Sequence, residues 1–453
     1  MNYLIQNSNA IFSGDDSNFT DLRIANGKIT ELGYSLKAQP NETVVDAKGC
    51  VIYPGFVNTH HHLAQSVLKG VPQGLNQGLG DWLASVPYRF WPKMDAQLMY
   101  SAAKLGLYEL LRSGATTCAD HHYLYHSQSS AEVEEAVWQA AEELGMRLVL
   151  CRGSATVQGS HRGMKQSGIE PETIDQVIQR MQASMERHHQ TSNMAMKKLV
   201  VAPTSLIHSS VPEHLTLCAE FARAHNLKLH SHLLEVGFDE IQAQEKYGMS
   251  AVDFAESVNW LGEDVWFAHL VKCDERAIQK LAQTKTAIAH CPTSNCRLGS
   301  GIAPVIDMQE QGMNITLGVD GSASAESGSM IQELNLAWLL HRTQHGPEAT
   351  KAEDVIKWGS ENGARLLGLE GTGRIAVGMA ADIVLYDIDQ PRMSGVHSPL
   401  LAPILCAEPV SIKHTFINGK PVWGGLSQTQ LDEAQLVAEV KSGLADLLKK
   451  VDH

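Results

Sequence analysis

Cysteine pairs, long apolar runs and basic clusters are all missing from this 453-residue chain. Its eight cysteines are scattered with no Cys-x-x-Cys spacing, in a chain too long to need disulfide staples, so reduced thiols are expected. No segment reaches about 18 uncharged apolar residues, which argues against a membrane-spanning helix. The first residues, Met1 to Asn7, lack a basic stretch followed by an apolar run, and the expectation is a soluble, cytoplasmic protein with no membrane partner. Lys and Arg number 36 against 50 Asp and Glu, a formal charge of −14. Nucleic-acid binding draws on clustered cations that release counterions from phosphates, so no nucleic-acid partner is expected. No internal repeat or low-complexity segment stands out, and the acidic runs Glu132 to Glu135 and Glu142-Glu143 read as solvated helix faces.

What is present is a hydrophobic content of 43 % in a chain that exceeds the usual ceiling for one compact domain, which predicts one large domain and a smaller one. Short β-branched runs ending in polar residues alternate with longer helical stretches. Eight such runs fall at Val51 to Thr59, Ala115 to Asp120, Arg147 to Gly153, Lys198 to Thr204, Leu227 to Glu235, Val265 to Leu270, Thr286 to Cys291 and Asn314 to Asp320. Eight strands over roughly 270 residues match the size of a (β/α)8 TIM-type barrel. The flanks, Tyr3 to Val45 and Arg374 to Trp423, are strand-rich with turn signals at Asn26-Gly27 and Asn418-Gly419. The expected α/β fold therefore has a small β-sandwich domain from residues 1–50 and 370–428, a barrel over 51–369, and a C-terminal helix in 429–453 packing on the body. Within that last segment, Gln430 to Lys450 carries apolar residues at helical spacing.

A barrel builds its active site where strands end, so the polar residues there come first. His60 and His62 close the first run, and alternation turns residues i and i+2 to one face, where two imidazoles can share an ion. His61 should face away, in packing or a supporting hydrogen bond. The fifth run offers His230 and His232 on one face and Glu235 just beyond. Both histidines are inward, and the one nearer the strand end, His232, is favoured to reach the mouth. His269 ends the sixth run, and Asp320 ends the eighth as anionic ligand or base. Neutral imidazoles with a carboxylate and water suit one divalent ion, Zn²⁺ or Fe²⁺, which lowers the pKa of water to about 7.

These residues resemble the amidohydrolase superfamily, in its mononuclear branch of purine, pterin and triazine deaminases. The resemblance covers nearly the whole chain, through Pro54-Gly55-Phe56-Val57-Asn58-Thr59-His60-His61-His62, His232-Leu233-Leu234-Glu235, His290-Cys291-Pro292-Thr293-Ser294-Asn295 and Gly318-Val319-Asp320-Gly321. It implies metal ligation by His60, His62, His232 and Asp320, proton handling and orientation by Glu235 and His269, and a structural or supporting Asn295. It further implies that Asp320 takes the water proton, Glu235 protonates a ring nitrogen, and His269 stabilises the developing oxyanion. Binuclear relatives carry a carboxylated lysine on or near the fourth strand, whereas the interior of that run, Leu199 to Pro203, has none and Lys198 begins it at the wrong end. The cytidine-deaminase pattern of H-x-E with P-C-x-x-C is not found.

For the substrate, Gln65 matches a glutamine that contacts the lactam edge of the base in guanine-deaminase-like relatives. Thr204 stands where those enzymes place an arginine. Met94 stands where adenosine-type relatives carry the acid of Trp-Pro-x-Glu. What remains resembles the cluster of 8-oxoguanine and isoxanthopterin deaminases, leaning toward the pterin member, through Asp120-His121-His122-Tyr123, Arg152-Gly153, Trp82-Leu83 and Pro87-Tyr88-Arg89-Phe90. The expectation is hydrolytic deamination of a small heterocycle, with Gln65, Trp82, Tyr88, Arg152 and Thr204 touching it and Phe90, Trp91 and Tyr123 as further lining. The alternatives are a triazine chloro- or alkylamino-hydrolase, a deaminase of S-adenosylhomocysteine, guanine or cytosine, and a non-catalytic barrel scaffold. A homo-oligomer is implied by the resemblance alone.

Overall fold

The computed structural model describes residues 2–14, 19–159, 162–427 and 431–452. Met1 and Gln430, each the first residue of an expected element, lie outside the described residues, as does His453. Eight parallel strands form one sheet in sequence order: β1 Phe56–His61, β2 Ala115–His122, β3 Arg147–Ser154, β4 Lys197–Pro203, β5 Lys228–Leu233, β6 Val265–His269, β7 Ala287–His290 and β8 Ile315–Leu317. The sheet closes on itself where Asp320 N–H donates to the His60 carbonyl at 3.0 Å and Thr59 Oγ1 donates to the Leu317 carbonyl. All residues of β1, β2 and β3 are buried, as strands covered on both faces must be, and helices such as Ala96–Arg112 and Pro212–Ala224 cover the outside.

The first expected strand is corrected. Val51 to Pro54 belongs to a separate strand, Cys50–Pro54, next to the edge of a five-stranded sheet, and the barrel begins only at Phe56. Gly55 makes the break: its N–H donates to the Asp382 carbonyl, and a Cβ there would stand 2.2 Å from Thr116. β1 is irregular in turn, since two residues, Thr59 and His60, oppose only Ala119 between the pairs Asn58 with Cys118 and His61 with Asp120. Such a bulge re-aims side chains beside a site.

The five-stranded sheet orders Lys420–Trp423, Ser411–Ile417, Ile383–Asp387, Cys50–Pro54 and Ala10–Ile11. It shares a core with a four-stranded sheet of Lys28–Gly33, Asp21–Ala25, Asn2–Gln6 and Glu42–Asp46, through Tyr3, Ile5, Leu22, Ile24, Ile52, Ile383, Leu385 and Phe416. Both chain ends thus build one small unit. Asn26-Gly27 and Asn418-Gly419 adopt the left-handed backbone that tight hairpins demand. A fully buried ion pair ties this unit to the barrel, with Arg147 on β3 gripping Asp382 through two N–H groups at 2.5 and 3.0 Å. The C-terminal helix, Glu433–Asp452, lies against Ala96–Arg112 and buries Leu436 and Leu447. Among the described residues no helix is long and apolar enough to cross a membrane. One acidic residue departs from the expected solvated face: Glu134 is buried and accepts from Tyr125 Oη at 2.6 Å.

Candidate active site

Six polar side chains at or just beyond the ends of β1, β5, β6 and β8 converge at the C-terminal mouth of the barrel: His60, His62, His232, Glu235, His269 and Asp320. Their protonation pattern follows from what each ring nitrogen faces. A carbonyl only accepts, so His62 Nδ1 donates to the His121 carbonyl at 2.8 Å, and His232 Nδ1 donates to the Thr204 carbonyl at 2.6 Å. His230 Nδ1 likewise donates to the Trp266 carbonyl at 3.0 Å, which leaves its Nε2 as the acceptor for His60 Nδ1–H at 2.8 Å. Burial drives the pKa of His60, His62 and His232 down, the last to about 3, so all three rings are neutral. Each therefore turns an Nε2 lone pair inward. His62 Nε2 lies 3.2 Å from His232 Nε2, and Asp320 Oδ1 lies 3.3 Å from both His60 Nε2 and His62 Nε2.

Three lone pairs and a carboxylate oxygen facing one another, with no proton among the imidazoles to bond them, would repel; a divalent cation resolves that arrangement. The buried His60 Nε2 has no hydrogen-bond partner among the described residues. The residues present thus fit a metal ion. Asp320 is held by its far oxygen, where Oδ2 accepts from Ser294 Oγ at 2.6 Å and Ser324 Oγ at 3.0 Å. Its backbone is left-handed, φ 58°, a conformation uncommon outside glycine. Lys198 sits near Gly368 at the start of β4, the opposite end of the barrel from the histidines.

Glu235 and His269 face each other with 3.5 Å between Oε2 and Nε2. Burial pushes the Glu235 carboxyl up to about 7; the negative charges of Asp320 and Asp239 add to the rise and His269 opposes it. His269 is anchored through Nδ1, which donates to Asn295 Oδ1 at 3.0 Å.

Over this cluster opens a cavity of about 700 Å³ including its mouth. Gln65, Trp82, Tyr88 and Thr204, each expected at the substrate, line it, with Tyr123 beside them. Gln65 Nε2 donates to Tyr123 Oη at 3.1 Å, while its buried Oε1 has no partner among the described residues, and neither has Thr204 Oγ1. An acceptor and a hydroxyl are therefore unmet at the cavity. Phe90 and Trp91 are not in the lining; Trp91 packs behind it, 5.3 Å from Tyr123 and 5.4 Å from Tyr88 between ring centroids.

Arg152 is corrected. It points away from the cavity and is fully buried in a two-pronged ion pair with Glu172, at 2.6 and 2.8 Å, under the Tyr125 ring. The Glu172 carboxylate and the Gly153 carbonyl take up its Nη1 and Nη2 groups. His61 is buried outside the lining, and His290 lies beneath the site with its Nε2 3.2 Å from His341 Nε2. Sequence reasoning missed three residues. His121 brings a ring nitrogen within 4.8 Å of the candidate ligand atoms of His60, His62 and His232, although its Nε2 donates to the Ala202 carbonyl. His208 and Asp239 line the outer cavity, bonded to each other at 2.8 Å. The one available signal was that Asp239 opens a helix four residues past Glu235.

Residues 51–422 match the amidohydrolase family, and the chain belongs to that family. By class it is an aminohydrolase enzyme. It is 41 % identical to an isoxanthopterin deaminase from an unknown prokaryotic organism, over 99 % of this chain and 98 % of that one. It is 38 % identical to an 8-oxoguanine deaminase of Pseudomonas aeruginosa, over 89 % and 90 %. Among solved structures, atrazine chlorohydrolase from Arthrobacter aurescens, complexed with zinc, superposes with a TM-score of 0.89 at 26 % identity, over 98 % of this chain and 100 % of that one.

Proposed function

We propose that the protein hydrolytically deaminates an amino-substituted bicyclic lactam of the isoxanthopterin or 8-oxoguanine type, holding one zinc ion through His60, His62, His232 and Asp320. The observation that carries this reading is the set of three inward Nε2 lone pairs beside Asp320, next to a carboxyl poised at about 7. Support for zinc comes from the related chlorohydrolase, whose crystals contain it. Support for the substrate comes from the two deaminases named above. The bound ion supplies an activated water at neutral pH.

The chain's own groups do the rest. Gln65 Oε1 accepts from the lactam N–H beside the amino-bearing carbon, and Trp82 and Tyr88 form apolar walls that exclude bulk water. Asp320 takes the proton of the attacking water. Glu235 delivers a proton to the ring nitrogen on the other side of that carbon, a role open to it because a pKa near 7 keeps much of the carboxyl protonated at neutral pH. His269, fixed by Asn295, faces the oxygen on which negative charge develops and stabilises it. The proton held by Asp320 then passes to the amino nitrogen, ammonia departs, and the hydroxyl proton returns to Glu235 as the product carbonyl forms. The test is ammonia release by zinc-loaded protein on isoxanthopterin, 8-oxoguanine, guanine, cytosine and S-adenosylhomocysteine, with a chlorotriazine as a further arm and Asp320→Asn as the blank. Turnover of the first two that disappears in the variant supports the reading, and exclusive chloride release from the triazine refutes it.

A further inference from the structure

The cavity wall beyond Glu235 holds an ionisable pair that the deamination chemistry does not use. Asp239 and His208 both line the cavity, at 7 % and 4 % exposure, and His208 Nε2 donates to Asp239 Oδ1 at 2.8 Å. The histidine ring is clamped by Phe238, stacked 13° from parallel with centroids 5.3 Å apart. Asp239 stands in the first turn of the helix Phe238–Tyr247, where the helix dipole favours a carboxylate. It is close enough to Glu235 to act on its charge. A carboxylate can accept several hydrogen bonds and His208 supplies one, so something in the cavity can supply another.

The chemistry of the two candidate substrates supplies that something. In both isoxanthopterin and 8-oxoguanine the amino-bearing carbon has two unlike edges. One carries the lactam N–H and carbonyl that Gln65 would read. The other carries, in order outward, the ring nitrogen that takes the proton from Glu235, then a second-ring N–H, then a second carbonyl. On the protein, Glu235, Asp239 and His208 share the wall built by the loops after β4 and β5, with Asp239 bonded to His208 and near enough to Glu235 to act on its charge. Pterin, which lacks the second-ring carbonyl, has a bare nitrogen lone pair where isoxanthopterin has that N–H.

We propose that the Asp239 carboxylate, oriented by His208, accepts the second-ring N–H of the substrate and so selects isoxanthopterin over pterin, which lacks that N–H. This rests on the deaminase reading above. The discrimination has two signs: a charge-assisted hydrogen bond to the lactam, and repulsion between carboxylate and lone pair in the pterin. Asp239 is the specificity-determining residue and His208 a positioning residue.

The experiment measures kcat/KM for isoxanthopterin and pterin with the zinc-loaded full chain, using competitive inhibition by pterin where its turnover falls below detection. Asp239→Asn keeps the shape and removes the charge. It should lose about tenfold or more on isoxanthopterin, the size of one charge-assisted hydrogen bond, and hold steady or gain on pterin, whose repulsion is relieved. His208→Ala should show part of the same shift, and His208→Gln, which retains an N–H donor, should restore it. Thermal melts and zinc content check that each variant is folded and loaded; should Asp239→Asn fail that check, the Ala and Gln variants of His208 carry the test alone. Equal losses on both substrates in folded variants would overturn the proposal while leaving the deaminase reading intact. Wild-type silence on isoxanthopterin and 8-oxoguanine with zinc bound would instead bring down that reading and this inference together.

Discussion

His230 is not among the residues lining the active-site cavity and yet sets the protonation of His60, a proposed metal ligand, which makes His230→Phe an informative perturbation. In the native chain the Trp266 carbonyl fixes the His230 proton on Nδ1, and the resulting lone pair on Nε2 fixes the His60 proton on Nδ1. Phenylalanine fills the space against Trp266, whose ring stacks on His230 at 4.5 Å, but accepts nothing. His60 then has two choices. It keeps a buried Nδ1–H without an acceptor, at a cost of about 1–3 kcal/mol, or it moves the proton to Nε2, where Asp320 Oδ1 waits at 3.3 Å but where no metal can bind. Either way the penalty falls on the metal-binding state. About 1–3 kcal/mol converts to roughly 5–150-fold, and removal of such outer partners typically weakens metal affinity about 10–100-fold. Zinc affinity measured by competition with a chromogenic chelator should fall within that range, with His230→Gln recovering most of it through its side-chain carbonyl. Affinity unchanged within about twofold in a folded His230→Phe protein would refute the tautomer argument, whatever the activity does.

Four further outcomes follow from the same geometry. Glu235 acts in its protonated form, so kcat/KM should decline as pH rises through about 7, and Glu235→Gln should lose that limb together with about 10²–10⁴-fold in kcat. The same group weighs on stability. Its folded pKa of about 7 lies above the usual 4.5, so its contribution is fully present below about pH 4.5 and is lost as pH rises through 7; denaturant titrations of metal-free protein should show Glu235→Gln gaining on the wild type across that window. Gly321→Ala places a Cβ 1.9 Å from Gln65 Oε1 without backbone strain, since φ there is −73°; KM should rise about tenfold with little change in melting temperature, and an unchanged KM would remove Gln65 from the substrate. Arg147→Met leaves Asp382 charged and buried between barrel and β domain, which should cost about 3–5 kcal/mol in urea unfolding, against near-neutrality if the pair were dispensable.

The sequence by itself determined the chemistry of the site. Strand periodicity, together with the rule that barrel sites lie at strand ends, selected His60, His62, His232, Glu235, His269 and Asp320, because these are the polar residues that close apolar runs and alternation assigns them a face. The paired turns at Asn26-Gly27 and Asn418-Gly419 made the small β unit legible for a similar local reason: left-handed backbone restricts the residue type. Tertiary structure alone decided what each of those groups does. Alternation gives a face but not a depth, so the separate positions of His230, bonded between Trp266 and His60, and of His232, facing His62 as a proposed ligand, emerge only when β5 is laid against β6 and β1. The carbonyls that fix the ring tautomers, from His121, Thr204 and Trp266, come from other strands or the loop that follows one, and no local pattern announces them. Arg152 looked like a substrate contact until its buried partner Glu172 was in place. Val51 to Pro54 looked like barrel until Gly55 turned it into the other sheet. His208 and Asp239 escaped notice because a loop and a helix start carry no periodic signature, and only closure of the barrel brings the ends of β4 and β5 to one cavity wall.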